Sequence, residues 1–245
     1  MAYHQAGNDA DRFEPLLSGR LAWRIAAIML VLALLSALAG LAGRWLGERI
    51  VFAGHSASTV LFHSAIGTDD FLLPANVVRF ESQRREGPKD ALDLYFRWPE
   101  MEGFSAGTSA VFNRTDGSAS LLFVSLSRRI MSKDMSGRYA PMYSQLIEGA
   151  ALPGPAGLVA YDLTHAAGYE GDRLYVARDD GEMPYVVRCL DESEAAAFGL
   201  TTTACQRDIL IGEDTAALYR FPAALLPDWR AIEQAVRGYL EAALR

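Results

Sequence analysis

ALDLYFRW, Ala91 to Trp98, decides how the larger part of this chain is read. Leu92, Leu94, Phe96 and Trp98 fall on one side of an extended backbone, and Asp93, Tyr95 and Arg97 on the other. Side chains alternate across a β-strand, so this pattern is a strand with one buried face. SLLFVSLS, Ser120 to Ser127, is a second and more apolar strand.

Working outward, β-branched and aromatic runs recur at short intervals. Thr59 to Ser64 and Phe71 to Phe80 read as an early strand pair, with Gly67-Thr68-Asp69-Asp70 as its turn. Pro74 has no N–H to give a ladder, so it breaks the second strand or confines it to an edge. Leu158 to Leu163, Arg173 to Arg178, Tyr185 to Leu190, Arg207 to Ile211 and Ala217 to Phe221 continue the series. Asp179-Asp180-Gly181 reads as a hairpin turn, because glycine takes positive φ at no steric cost. Its alternative reading is a carboxylate pair for acid–base work. Leu152 to Gly157 (LPGPAG) is a breaker-rich turn within one domain.

Two segments read as helices. Tyr139 to Gly149 puts Tyr143, Leu146 and Ile147 on one side. In Asp228 to Leu244, Trp229, Ile232, Val236, Tyr239, Leu240, Ala243 and Leu244 follow helical spacing. Asp228 stands at the N-cap, and Glu233 with Arg237 forms an i, i+4 pair expected on the exposed side. Such a stripe packs on a sheet. The expected fold class is α+β: a single N-terminal transmembrane helix, then one β-rich domain with an amphipathic C-terminal helix on a sheet.

The N-terminal part is different. Ile25 to Gly43 (IAAIMLVLALLSALAGLAG) carries no charge and is bracketed by Arg24 and Arg44. A bilayer core about 30 Å thick needs roughly 20 apolar helical residues. Trp23 and Trp45 flank the run, as interfacial tryptophans do. A cleaved signal peptide has a short leader and a shorter apolar stretch. Here the leader is long, and Ala37-Leu38-Ala39, the one A-x-A in a plausible place, lies inside the run. The expected organisation is a short cytoplasmic tail (1–24), a transmembrane helix (25–43), a juxtamembrane linker (44–58) and a periplasmic α+β domain (59–245). Three arginines precede the span and two follow it, a weak bias towards a cytoplasmic N-terminus. Ser36 with Gly40 and Ala39 with Gly43 offer small-xxx-small spacings for a homodimer through this helix.

Cys189 and Cys205 are the two cysteines. An even count in an exported domain reads as one disulfide. The intervening loop, Leu190 to Ala204, reads as irregular apart from a helical stretch at Glu192 to Phe198.

Composition excludes some classes. Of 23 basic and 30 acidic groups, residues 1–50 hold five and four, leaving residues 51–245 with 18 and 26, a charge of −8. Phosphate backbones would be repelled, which argues against nucleic acid as a partner. Arginine outnumbers lysine 21 to 2 and alanine is abundant, a composition of GC-rich bacterial genomes. In such a cell the compartment beyond the anchor is the periplasm, and the Asn113-Arg114-Thr115 sequon carries no meaning.

Catalytic signatures are weak. Gly54-His55-Ser56-Ala57-Ser58 lacks the second glycine of a nucleophile elbow and follows the apolar run rather than a core strand. His55, His63 and His165, with Asp69, Asp70 or Asp162, are metal-ligand types without metal-ligand spacing. No phosphate-binding glycine loop occurs. No cofactor is expected. Two basic clusters stand out: Arg79, Arg84, Arg85 and Lys89, and Arg128, Arg129, Lys133 and Arg138. They read as solvated loops or as a patch for an anionic partner.

The expectation is a single-pass inner-membrane protein whose non-catalytic periplasmic domain binds an envelope protein or polymer in an assembly or accessory role. The alternative is a cell-envelope hydrolase with a site assembled from distant residues such as His165. A sensor would need a separate cytoplasmic output partner.

Overall fold

The protein is described from a computed structural model. The described residues are 19–52, 54–114, 120–164, 168–169, 171–177, 183–191 and 204–245; of residues 22, 44–46 and 48–51 only the helical backbone is described. The expected Asp179–Gly181 turn, the Glu192–Phe198 stretch, His165 and Thr115 of the sequon lie outside these residues.

The chain forms two compact units, 1–50 and 51–245. In the first, the described residues belong to a helix that runs Gly19–Phe52. Its stretch Gly19–Gly43 is long and apolar enough to cross a membrane. The large aliphatic side chains within it are exposed on every side, as in the successive residues Leu30, Val31 and Leu32.

The second unit is built on an eight-stranded antiparallel sheet, and the α+β class stands. Its strands are β4 (Ala91–Arg97), β5 (Leu121–Arg128), β6 (Ile147–Pro153), β7 (Val159–Leu163), β8 (Asp172–Ala177), β9 (Tyr185–Leu190), β10 (Cys205–Ile211) and β11 (Thr215–Phe221). The order across the sheet is β4-β5-β11-β10-β9-β8-β7-β6. A second, three-stranded sheet is formed by β1 (Leu61–Ile66), β2 (Asp69–Pro74) and the two-residue β3 (Gly87–Pro88), in the order β2-β1-β3.

The core lies on one face of the large sheet. Leu92, Leu94 and Phe96 of β4, Leu122, Val124 and Leu126 of β5, and Ala217, Tyr219 and Phe221 of β11 are all buried there. The C-terminal helix, Trp229–Ala243, inserts Trp229, Ile232, Val236 and Leu240 into the same core. Tyr239 meets Phe96 edge to face at 4.6 Å.

That helix-to-sheet contact contains a buried ion pair. Arg207 is 4% exposed and its Nε donates to Glu233 Oε2 at 3.0 Å. Another of its amino groups donates to the Val186 carbonyl at 2.8 Å, and the Tyr219 hydroxyl donates to Glu233 Oε2 at 2.6 Å. Burial works against the arginine charge, but Tyr219 and Glu233 more than restore it. Glu233 is likewise pushed up by burial, and Arg207, Tyr219 and Arg237 pull it below its ordinary value. The Glu233–Arg237 pair exists, at 3.0 Å, yet Glu233 turns inward and not to the exposed side. The demand of Arg207 for a carboxylate decides that orientation.

The two sheets are joined through Asp69. Its carboxylate accepts from the N–H of Glu213 at 2.9 Å, the N–H of Asp214 at 2.8 Å and the Thr215 hydroxyl at 2.7 Å. Burial raises the Asp69 carboxyl, and these donors outweigh it to hold the pKa low. Gly212 has φ 61°, and a Cβ there would stand 2.6 Å from Asp69 Oδ1. Gly67, with φ 59°, faces the Asp214 side chain in the same way, so the two turns interlock.

Several boundaries differ from the sequence expectation. The second early strand ends at Pro74, and Ala75–Val77 is a short 3-10 turn in place of a strand to Phe80. No α-helix covers Tyr139–Gly149. Turns run to a 3-10 segment at Tyr143–Gln145, and β6 begins at Ile147. Pro141 lacks the N–H that a continuing helix needs, and Tyr143 instead packs on Met135, Leu174 and Val186. Asp228 is the N-cap residue but caps with no side-chain bond, because its carboxylate accepts from the Trp98 indole at 3.0 Å.

Candidate functional site

Cys189 and Cys205 sit directly opposite one another on β9 and β10, and they form a disulfide with a Cα separation of 4.0 Å. Both are buried. The bond closes the 190–204 loop across a strand pair and belongs to the scaffold.

The other face of the large sheet is covered only in part. At the β4–β5 end, Tyr95 and Leu121 pack under Phe104 and Phe112. At the far end, Leu174, Val176 and Val186 pack under Met135 and Tyr143. Between these covers the face is open. A row of Ala91, Ser127, Ala216 and Leu210 crosses four strands, with Asp93, Ser125, Leu218 and Asp208 as the next row.

This open strip is the floor of a groove of about 1170 Å³. One wall is the 82–90 segment, which brings Arg85 and Lys89. The other is the 128–138 segment, which brings Arg128, Lys133 and Arg138. The two basic clusters therefore meet, and antiparallel pairing is the cause. Ala91 at the start of β4 is opposite Ser127 near the end of β5, so the segment before one strand lies beside the segment after the other.

Both walls are pinned. Gly87–Pro88 pairs with β1, and the Lys89 N–H donates to the Ala65 carbonyl at 2.9 Å. Gln83 and Asp93 exchange two hydrogen bonds, each of 2.9 Å. Across the groove, the Arg129 N–H donates to the Asp214 carbonyl at 2.7 Å, and Met135 is buried.

The eight clustered cations separate by environment. Arg84 donates to the carbonyls of Val78 and Arg79, and Arg79 lies over the rings of Phe80 and Phe123, each 5.0 Å away. Neither lines the groove, and nor does Arg129. Arg128 pairs with Asp214 at 3.0 Å, and Arg138 pairs with Asp208. Burial raises the Asp208 carboxyl while Arg138 opposes that shift. Lys89 donates to the Arg85 carbonyl. Burial, then the charge of Arg85, lower the Lys89 pKa. Among the described residues, Arg85 and Lys133 have no carboxylate partner within ion-pair distance. Ile130, 95% exposed, and Met131 stand beside them. Sequence reasoning missed these two apolar residues and the sheet floor. The signal available was the strand pairing that brings the flanking loops together.

The catalytic and metal candidates are dispersed. His55 Nδ1 lies 3.0 Å from the Tyr95 hydroxyl, and its ring stacks on Phe104 at 4.8 Å. Burial lowers the His55 pKa and raises that of Tyr95 to about 12. His63 pairs with Asp70 at 2.7 Å on the surface, and Asp162 pairs with Arg173 at 2.9 Å. Asp69 is committed to the β10–β11 turn. Among the described residues no group of three or more histidine, cysteine or acidic side chains is placed to hold a metal ion.

The fold and site thus define an antiparallel α+β domain with a cationic groove on its open sheet face. No protein-family model matches the chain. No curated protein matches it either. Solved structures with a similar fold include an immunity protein of the Stenotrophomonas maltophilia type IV secretion system. It has a TM-score of 0.51 and 18% identity, over 78% of this chain and 96% of that one. A weaker likeness is to the Neisseria meningitidis iron-regulated outer membrane lipoprotein FrpD, with a TM-score of 0.44 and 13% identity over 77% and 94%. At 18% identity the likeness to the immunity protein concerns the fold alone.

Proposed function

We propose that this is a single-pass inner-membrane protein whose 51–245 unit lies in the periplasm and binds another envelope component, in an accessory or immunity-like role. The observation that carries the reading is the groove. Two pinned walls hold unpaired cations and an exposed isoleucine over an open sheet face, an arrangement suited to binding a surface. The apolar Gly19–Gly43 stretch supports an anchor, and the buried disulfide supports an oxidising compartment. The immunity protein of similar fold is an example of this scaffold in a protein named for a protective role.

Photo-crosslinking in living cells tests the proposal. A photoreactive residue at Ile130 should trap one reproducible envelope-resident partner. The same residue at Gln234, on the exposed side of the C-terminal helix, should not. Equal capture at both positions, or capture only of cytosolic proteins, would remove the groove from the function.

A further inference from the structure

We infer that the groove docks an acidic segment of a partner protein, with carboxylates on Arg85 and Lys133 and an apolar side chain against Ile130 and Met131. This inference rests on the binding role proposed above and names the partner's chemistry.

Charge complementarity is the first argument. The lining holds five cations, Arg85, Lys89, Arg128, Lys133 and Arg138, against the carboxylates of Glu86, Asp90 and Asp208. Two of the cations are already neutralised by Asp214 and Asp208. Three cations remain, Arg85 and Lys89 on one wall and Lys133 on the other, and Lys89 is turned to the Arg85 carbonyl, so an occupant with spaced carboxylates meets Arg85 and Lys133 across the groove. The rest of the unit is strongly acidic, which repels such a segment elsewhere and guides it here.

Shape and polarity then separate protein from polymer. Ligand pockets for small molecules run about 300–1000 Å³. At about 1170 Å³ with a floor of small side chains such as Ala91, Ser127 and Ala216, this groove is too open to grip a compact anion. Among the described residues no aromatic ring lines it, so they offer a sugar chain no flat apolar platform. Ile130 at 95% exposure offers an aliphatic contact instead, which an acidic peptide with one apolar residue can use and a polyuronate cannot.

The test uses the full chain in nanodiscs of neutral lipid and a labelled peptide of Glu-Leu-Glu-Gly repeats, read by fluorescence anisotropy. The peptide should bind, and more weakly as salt rises past about 0.1 M. Arg85→Glu with Lys133→Glu should weaken it on the order of tenfold. Ile130→Ser should weaken this peptide but leave polyglutamate unchanged, and Arg245→Glu should change neither. Failure of the peptide to bind, indifference to the double reversal, or displacement by alginate oligomers or phosphatidylglycerol vesicles at lower concentration than by peptide would each overturn the inference. The Ile130 crosslink distinguishes the levels. A trapped envelope peptide without acidic residues overturns acidic docking alone, whereas no capture removes the binding role as well.

Discussion

The two faces of the large sheet use arginine in opposite ways. On the closed face, Arg207 is buried, and Glu233 and the Val186 carbonyl take up its donors. On the open face, Arg85 is exposed, and among the described residues no carboxylate lies within ion-pair distance of it. Removing water from a charge costs several kcal/mol unless partners replace it. A buried arginine therefore reports on architecture, and an exposed unpaired one beside exposed isoleucine reports on what the surface meets.

The contrast can be broken most sharply at Glu233. Glu233→Ala leaves Arg207 buried and uncompensated, and should cost about 3–5 kcal/mol in denaturant unfolding of the full chain. A double change to Arg207→Met and Glu233→Leu should recover most of that loss. The same network sets a pH dependence. Glu233 has a folded pKa below its unfolded one, so its contribution is complete above the unfolded value and fades as pH falls through the folded value. Asp69 acts in the same direction. Glu233→Gln should flatten the acid limb of a stability–pH curve, and an unchanged limb would assign acid sensitivity elsewhere.

Reduction of Cys189–Cys205 comes next, with an expected loss of about 2–4 kcal/mol in the same assay. Gly212→Ala should cost about 1–3 kcal/mol, because it combines positive φ with a clash against Asp69. The smallest effects belong to the open face. Arg85→Ala and Lys133→Ala should each move stability by no more than about 0.5 kcal/mol, while the Ile130 crosslink is weakened. A large stability loss there would erase the distinction between the faces.

Much of this architecture was legible because it obeys simple periods. Leu92, Leu94 and Phe96 alternate on β4, and Trp229, Ile232, Val236 and Leu240 follow the helical repeat, since each element presents one side to one core. The β6 strand was not, because Ile147–Pro153 is an edge whose side chains are mostly exposed and whose register shifts at a bulge. With no buried face, there is no pattern to read. The Tyr139–Gly149 segment differs from the expected helix for a like reason, since Tyr143 and Leu146 serve a turn and Ile147 already opens β6. The basic clusters were visible as composition, but their convergence is a property of strand pairing. Their division into structural cations, such as Arg84, and groove cations, such as Arg85, depends on which carbonyls the fold places nearby.

The Asp69 junction has a consequence for the order in which this domain can form. The β1–β2 turn is among the first parts of the unit to leave the ribosome, yet Thr215, which it binds, comes 146 residues later. Next to it, the Asp70 carbonyl waits for the N–H of Arg245, and Phe71 bridges to Leu244. Contacts this distant in sequence slow folding, because the chain must close a long loop before they return any energy. The early sheet is thus a clasp that cannot close before Thr215 and Arg245 are made, and a nascent chain carries its open side until then.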